Sequence, residues 1–262
     1  MDDFKAVFLP NRNIRTSTFT ALCVFQVVVA LLVWSFGTSP VFPRPLAILQ
    51  AWVDLARHGD FMTEMATSTI LACQAVAITF VVSLLVSYAT VMPFFRPIGE
   101  FVSKMRFLSL VGLSFVFTMV MSGGHNLKLS LLVFGMSVFF VTSMVEELSS
   151  IPKTEYSHAR TLGMGEWHVV WEVILLGKMD RAFEILRQNF AIAWMMLTMV
   201  EGISRADGGV GALLLNQNKH FHLAAVFAIQ ASIFAIGVIM DYLFGLLKRF
   251  LFPYASLAFE VR

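Results

Sequence analysis

IPKTEYSHARTLGMGEWHVVWEVILLGKMDRAFEILR, residues 151–187, is a long polar interval set between segments apolar enough to cross a membrane. Its reading decides the fold, because nearly everything else is span or short connection. Pro152 and Thr154 form a helix start and Gly163 with Gly165 a stop, which predicts a short helix over Glu155 to Leu162 ending at a joint. A second short helix should follow. Trp167, Val170, Trp171 and Ile174 fall at i, i+3, i+4 and i+7, one helical stripe, while Glu166, His168 and Glu172 lie off it. Anchoring by the tryptophans in a headgroup layer would hold this loop against a membrane while Glu155 to Gly163 projects away from it.

Outward from the loop, composition excludes a soluble domain. With 58% hydrophobic and only 14% charged residues, and a positive mean hydropathy, the 262-residue chain carries more apolar surface than a soluble fold can bury. A net charge of +2 gives no reason to expect a nucleic-acid partner. Cys23 and Cys73 both fall within predicted spans, where a thiol acts as a small apolar side chain, so neither a disulfide nor a metal site is expected.

Six spans are expected, making an all-α polytopic membrane protein. A basic stretch (Lys5, Arg12, Arg15; residues 1–17) precedes a first span over Thr18 to Phe36, longer than a signal core and without a good cleavage context, hence read as retained. Residues 18–62 hold this span and an interfacial amphipathic helix through Leu46, Leu49, Trp52, Val53 and Ala56, closed by Gly59 and Asp60. Residues 63–250 hold the five-span core: Met62 to Val91, Phe107 to Met121, Leu127 to Val145, Gln188 to Ile203 and Leu223 to Leu247; residues 251–262 form a tail. Six spans put both termini on one side. Of the 19 Lys and Arg residues, all but Arg44, Arg57, Lys128, Arg205 and Lys219 collect on the side of the termini and the 151–187 loop, which points to the cytoplasm.

Ala159-Arg160-Thr161-Leu162-Gly163, then Trp167, the Val173 to Leu176 run, Arg187 and Ala193-Trp194, resembles the "EAA loop" of ATP-binding-cassette importer permeases. The flanks resemble the nitrate, sulfonate and taurine branch: Glu201 followed by Asp207-Gly208-Gly209-Val210-Gly211, and a last span carrying Asp241 and ending Lys248-Arg249-Phe250-Leu251-Phe252-Pro253. The similarity runs from about Pro43 to Pro253. It departs from the pattern at Ser157 and His158, where the family has Glu and its first Ala, and at Gly177, where a Pro usually follows the Leu.

The resemblance implies a type I importer (MetI-like) core of a bacterial inner-membrane permease, forming half of a substrate path. It implies two separate ATPase subunits, a second permease copy and a periplasmic or lipid-anchored solute-binding protein. Coupling to the ATPase would fall on Glu155, Ser157, His158, Ala159, Arg160, Thr161, Leu162, Gly163 and Trp167. A small anion or small polar solute would be the substrate.

Catalytic motifs agree with a chain that does not work alone. It has no GxxxxGK[ST] phosphate cradle, so ATP hydrolysis is expected in another subunit, and no HExxH; no cofactor is expected. Ser122 and His125 read as a polar helix end and not as a protease pair. Gln74, Asn189, Thr198, Glu201 and Gln230 are candidate path-lining groups, each with the alternative of bonding helix carbonyls or neighbouring helices. Glu201 either faces a path or binds a periplasmic partner, or is simply wetted near the outer end of a short span, and Asp241 is expected to answer to Lys248 and Arg249. A secondary transporter, or a membrane scaffold without transport activity, are the competing readings.

Overall fold

Each long uncharged run becomes a helix in the computed structural model, which describes residues 16–36, 42–121, 123–204 and 208–253. The basic N-terminal stretch, Ser122, Arg205, Asp207 and the tail beyond Pro253 lie outside the described residues. In chain order the helices are α1 (Thr16–Phe36), α2 (Pro45–His58), α3 (Phe61–Ala89), α4 (Arg96–Lys104), α5 (Leu110–Val120), α6 (Gly124–Ser149), α7 (Lys153–Thr161), α8 (Glu166–Val169), α9 (Met179–Ile203), α10 (Val210–Lys219) and α11 (Leu223–Leu251). No strand occurs among the described residues.

Among the described residues, four helices are long and apolar enough to cross a membrane: Thr16–Ser35, Phe61–Ala89, Gly124–Ser149 and Leu223–Leu251. The protein is therefore an all-α membrane-embedded chain. Two expected spans differ from the reading of the sequence. In place of a span over Phe107 to Met121 there is α5, only 11 residues, about 16 Å at 1.5 Å per residue and short of the ~30 Å hydrocarbon layer. It is joined to Arg96–Phe107 through a bend of 111°, and the pair counts as at most one broken span. Gln188 to Ile203 is the second half of α9, whose 25 residues include Asp180, Arg181, Glu184, Arg187 and Glu201 and are too polar for a lipid-facing helix.

Helix α9 tolerates those charges because protein surrounds it. It packs on α3, α6, α10 and α11, while α6 in turn packs on α3, α4 and α5. Leu132, Met136, Phe140 and Met144 repeat every fourth residue along α6 and are fully buried, facing Leu71, Ala75 and Val76 of α3 and Phe190 and Leu197 of α9 in one core. Lipid tails are as apolar as these side chains, so the gain is close packing and not escape from water. Trp194 fastens α9 to α11 by donating Nε1–H to the Ile233 carbonyl at 2.8 Å.

The helix ends gather into two clusters. The starts of α3, α6 and α10 meet the end of α9 at what we call the glycine-turn end. At the loop end the start of α9 meets the ends of α6 and α11. Amphipathic α2 packs along α11 with Ile48 inward and Leu46, Leu49 and Trp52 exposed, close to the expected interfacial helix. None of the apolar window of helix α1 is buried, and its Trp34 donates Nε1–H to the Pro43 carbonyl at 3.2 Å.

Candidate functional site

Pro152 caps α7, and the helix ends at Thr161, with Leu162 as its C-cap just before Gly163, as the glycine spacing predicts. Gly163 takes φ +77°, a left-handed conformation open to glycine at little steric cost. Its N–H bonds the Arg160 carbonyl at 3.0 Å and the next N–H, Met164, bonds Ala159 O at 3.3 Å, the two bonds of a Schellman stop. Arg160 then reaches across the stop to Glu166, Nε to Oε1 at 2.9 Å and Nη2 to Oε2 at 3.0 Å. The turn between α7 and α8 is thus fixed twice, by backbone and by ion pair.

Most of the expected coupling residues are presented outward. Glu155, Ser157, His158, Arg160, Thr161, Leu162, Gly163 and Trp167 are exposed, Leu162 by 76% and Trp167 by 74%. Ala159 is the exception: it is buried. The hydroxyl of Ser157 donates to Lys153 O at 3.1 Å.

The tryptophan stripe does not remain on one face. After one α-turn the helix widens, and residues Val170–Leu176 are π-helical, with Gly177 N–H closing on Glu172 O at 2.9 Å. The wider turn separates Ile174, which is buried, from Trp167 and Trp171, which are exposed; Val169 shares the buried side. A proline at 177 could not donate this closing bond.

The guanidinium of Arg160, hydrogen-bonded to Glu166, holds the Glu166 carboxyl below the usual glutamate range. A depressed carboxylate pKa stabilises the paired state at pH values above the unpaired pKa, and that stabilisation is lost as pH falls through the depressed value. Fluorescence of Trp167, taken as the difference from Trp167→Phe, should stay constant from neutral pH through the ordinary glutamate range and change only below it. A change centred within the ordinary range would contradict the pairing.

At the glycine-turn end, Glu201 is enclosed by the chain's own side chains and backbone. It is 1% exposed, accepts the Ser68 hydroxyl at 2.5 Å and the Gly211 N–H at 2.8 Å, and shares the site with Lys128, itself 3% exposed. Lys128 Nζ donates to Gly208 O at 2.7 Å, Ser68 Oγ accepts Val210 N–H at 2.9 Å, and Glu64 accepts Gly209 N–H. Gly209 has φ +106°, and a Cβ there would collide with the Glu201 carboxylate. Side chains from α3, α6 and α9 therefore close on one turn, Gly208 to Gly211: those of α3 and α9 accept its N–H groups at the start of α10, and Lys128 of α6 donates to its first carbonyl. Sequence reasoning singled out Glu201 and the glycines but not Glu64, Ser68 or Lys128; the only available signal was a lysine beside the apolar run of α6.

A groove of about 900 Å³ opens beside this turn; among the described residues its lining includes Asp54, Asp60, Glu64, Asn216, Gln217 and His222 and no lysine or arginine. The remaining path candidates are not gathered. Gln74 and Gln230 are exposed on α3 and α11, Thr198 donates to Met195 O at 3.1 Å, and buried Asn189 donates to Ile185 O at 2.9 Å. No hydrogen bond joins any two of them among the described residues.

At the loop end the expected ion pairs are exchanged. Asp241 takes Arg187 in a two-bond pair, both at 2.7 Å, while Lys248 takes Glu184 at 2.5 Å. Both pairs tie α9 to α11 across the bundle, where the sequence suggested contacts within the last helix. No family model and no curated protein matches this chain.

Proposed function

We propose that this chain is the membrane permease subunit of an ATP-driven importer, with the 151–187 loop as the element a separate ATPase engages. The observation that carries this reading is α7 with its double-fixed stop. A short helix presents Glu155, Ser157, His158, Leu162 and Trp167 outward while Ala159 faces inward, and the joint after it is held by the Schellman bonds and the Arg160–Glu166 pair. A rigid projecting helix can transmit displacement; a flexible polar loop would absorb it.

In this reading α9 counts as a span shielded by its neighbours and α4–α5 as a broken one, which with the four apolar helices makes the six spans of a type I importer core. The loop and both termini lie in the cytoplasm and the glycine-turn end faces outward, in a bacterial inner membrane. Two copies, two ATPase subunits and a solute-binding protein make the working assembly. Closure of the ATPase dimer moves the two α7 helices together, and the braces Arg187–Asp241 and Lys248–Glu184 carry α9 and α11 as one body. Hydrolysis resets the assembly.

The substrate is a small polar solute of the nitrate, sulfonate or taurine kind. The carboxylates of Asp54, Asp60 and Glu64 favour the zwitterionic or uncharged part of that range over a simple anion. Purification with native partners tests the reading: an ATPase should copurify with the wild type and be lost from a folded, membrane-inserted Arg160→Glu variant, which sets two carboxylates against each other at the joint. Full retention by the variant, or no ATPase with the wild type, would favour a scaffold.

A further inference from the structure

Between α2, α3 and α11 runs a second groove, about 530 Å³, lined by Ile48, Leu49 and Trp52 on one side, Met62 and Met65 on another, and Ala228, Ala231 and Ala235 along its floor. Carbon lines it almost completely. The one hydroxyl present, Ser232, is already used: it accepts Trp52 Nε1–H at 3.0 Å and donates to Ala228 O at 3.0 Å. Nothing in the groove is left to recognise a polar ligand.

Its position narrows the occupant. Two of its walls are helices long and apolar enough to span a membrane, and the third is an amphipathic helix bearing a tryptophan, the arrangement of a hydrocarbon–headgroup boundary. A helix is about 10–12 Å across, so this volume would hold only about one turn of one, whereas a linear alkyl chain needs no such width. Arg44 is the charged residue that precedes the groove-lining residues of α2. It caps α2 one turn before Ile48, with Ile48 N–H bonded to the Arg44 carbonyl at 3.2 Å, and nearby Phe42 packs on Phe227, next to Ala228, at 6.0 Å between rings. Arg44 is exposed, and among the described residues no carboxylate forms an ion pair with it.

We propose that an anionic phospholipid occupies this groove, with an acyl chain along Ala228, Ala231 and Ala235 and its phosphate at Arg44. The site ties α2 to the starts of α3 and α11, and it requires only that the chain is embedded in a membrane, not that it is a permease.

Native mass spectrometry of the detergent-purified full chain, supplied with phosphatidylglycerol and phosphatidylcholine of identical acyl chains, tests it. Wild type should retain one lipid, with a preference of about fivefold for phosphatidylglycerol, the effect of one arginine near an anionic headgroup. Arg44→Gln should keep a lipid and lose the preference. Ala231→Phe, which fills the floor, should lose the retained lipid. Leu49→Trp, at an exposed lip position, should do the same and serves if Ala231→Phe does not fold. Retention unchanged in folded groove-filling variants, or no retained lipid on the wild type, would overturn the proposal. A preference that survives Arg44→Gln would overturn the phosphate assignment. Loss of self-association in place of lipid would make a second copy of the chain the occupant, and the proposal would fall.

Discussion

Glu201→Leu should lower stability by about 3–5 kcal/mol, the usual cost of removing one member of a buried, hydrogen-bonded charge group. Three losses act together. The Ser68 hydroxyl and the Gly211 N–H lose their acceptor, and Lys128, 3% exposed, loses the opposite charge beside it. Glu201→Gln keeps the shape and one acceptor oxygen but turns an amide toward a donor, and should cost about 1–3 kcal/mol. Lys128→Met leaves Glu201 as the uncompensated charge, so part of its loss should return in the Glu201→Gln, Lys128→Met double variant. Apparent melting temperatures in nanodiscs should rank wild type, then Glu201→Gln, then Glu201→Leu. Equal values for wild type and Glu201→Gln would mean that shape alone, and not charge, holds the Gly208 to Gly211 turn.

Gly163→Pro should abolish ATPase association, by more than tenfold, while leaving the bundle intact. Proline fixes φ near −65°, against +77° here, and has no N–H for the bond to Arg160 O. The stop of α7 would be lost and with it the placement of Leu162 relative to Trp167. Gly163→Ala keeps the N–H and pays only the left-handed penalty, about 1–2 kcal/mol, so it should weaken association without abolishing it. Circular dichroism and membrane insertion should be unchanged in both, since residue 163 lies outside every span-length helix. Undiminished binding by Gly163→Pro would remove the loop from the coupling role.

The class of the fold was legible because long uncharged runs admit few alternatives: α1, α3, α6 and α11 appear within a few residues of their expected limits. The α7 stop was legible as well, since glycine spacing is a local signal. What failed was non-local. Helix α5 is shorter than its apolar run suggests because the chain turns through 111° before it, and nothing in Phe107-Leu108-Ser109 announces that angle. The π-helical stretch after Val169 broke the tryptophan stripe because periodicity assumes 3.6 residues per turn. Asp241 was assigned to its sequence neighbours, whereas in a bundle the nearest cation stood on another helix, Arg187. The node around Glu201 combined both cases: its glycines were visible, but Glu64, Ser68 and Lys128 reach it only through the packing of α3 and α6.

A photo-crosslinking side chain placed at Leu162 or Trp167, the most exposed apolar positions of the loop, tests the central claim most directly. Irradiated in native membranes, both positions should give an adduct with a subunit that mass spectrometry identifies as carrying a phosphate-binding loop, and the same probe at Phe234 on the lateral face of α11 should not. If neither loop position captures an ATPase, or if the ATPase is captured from Phe234 alone, the loop is not the docking element and the account of this chain as an ATP-coupled permease fails.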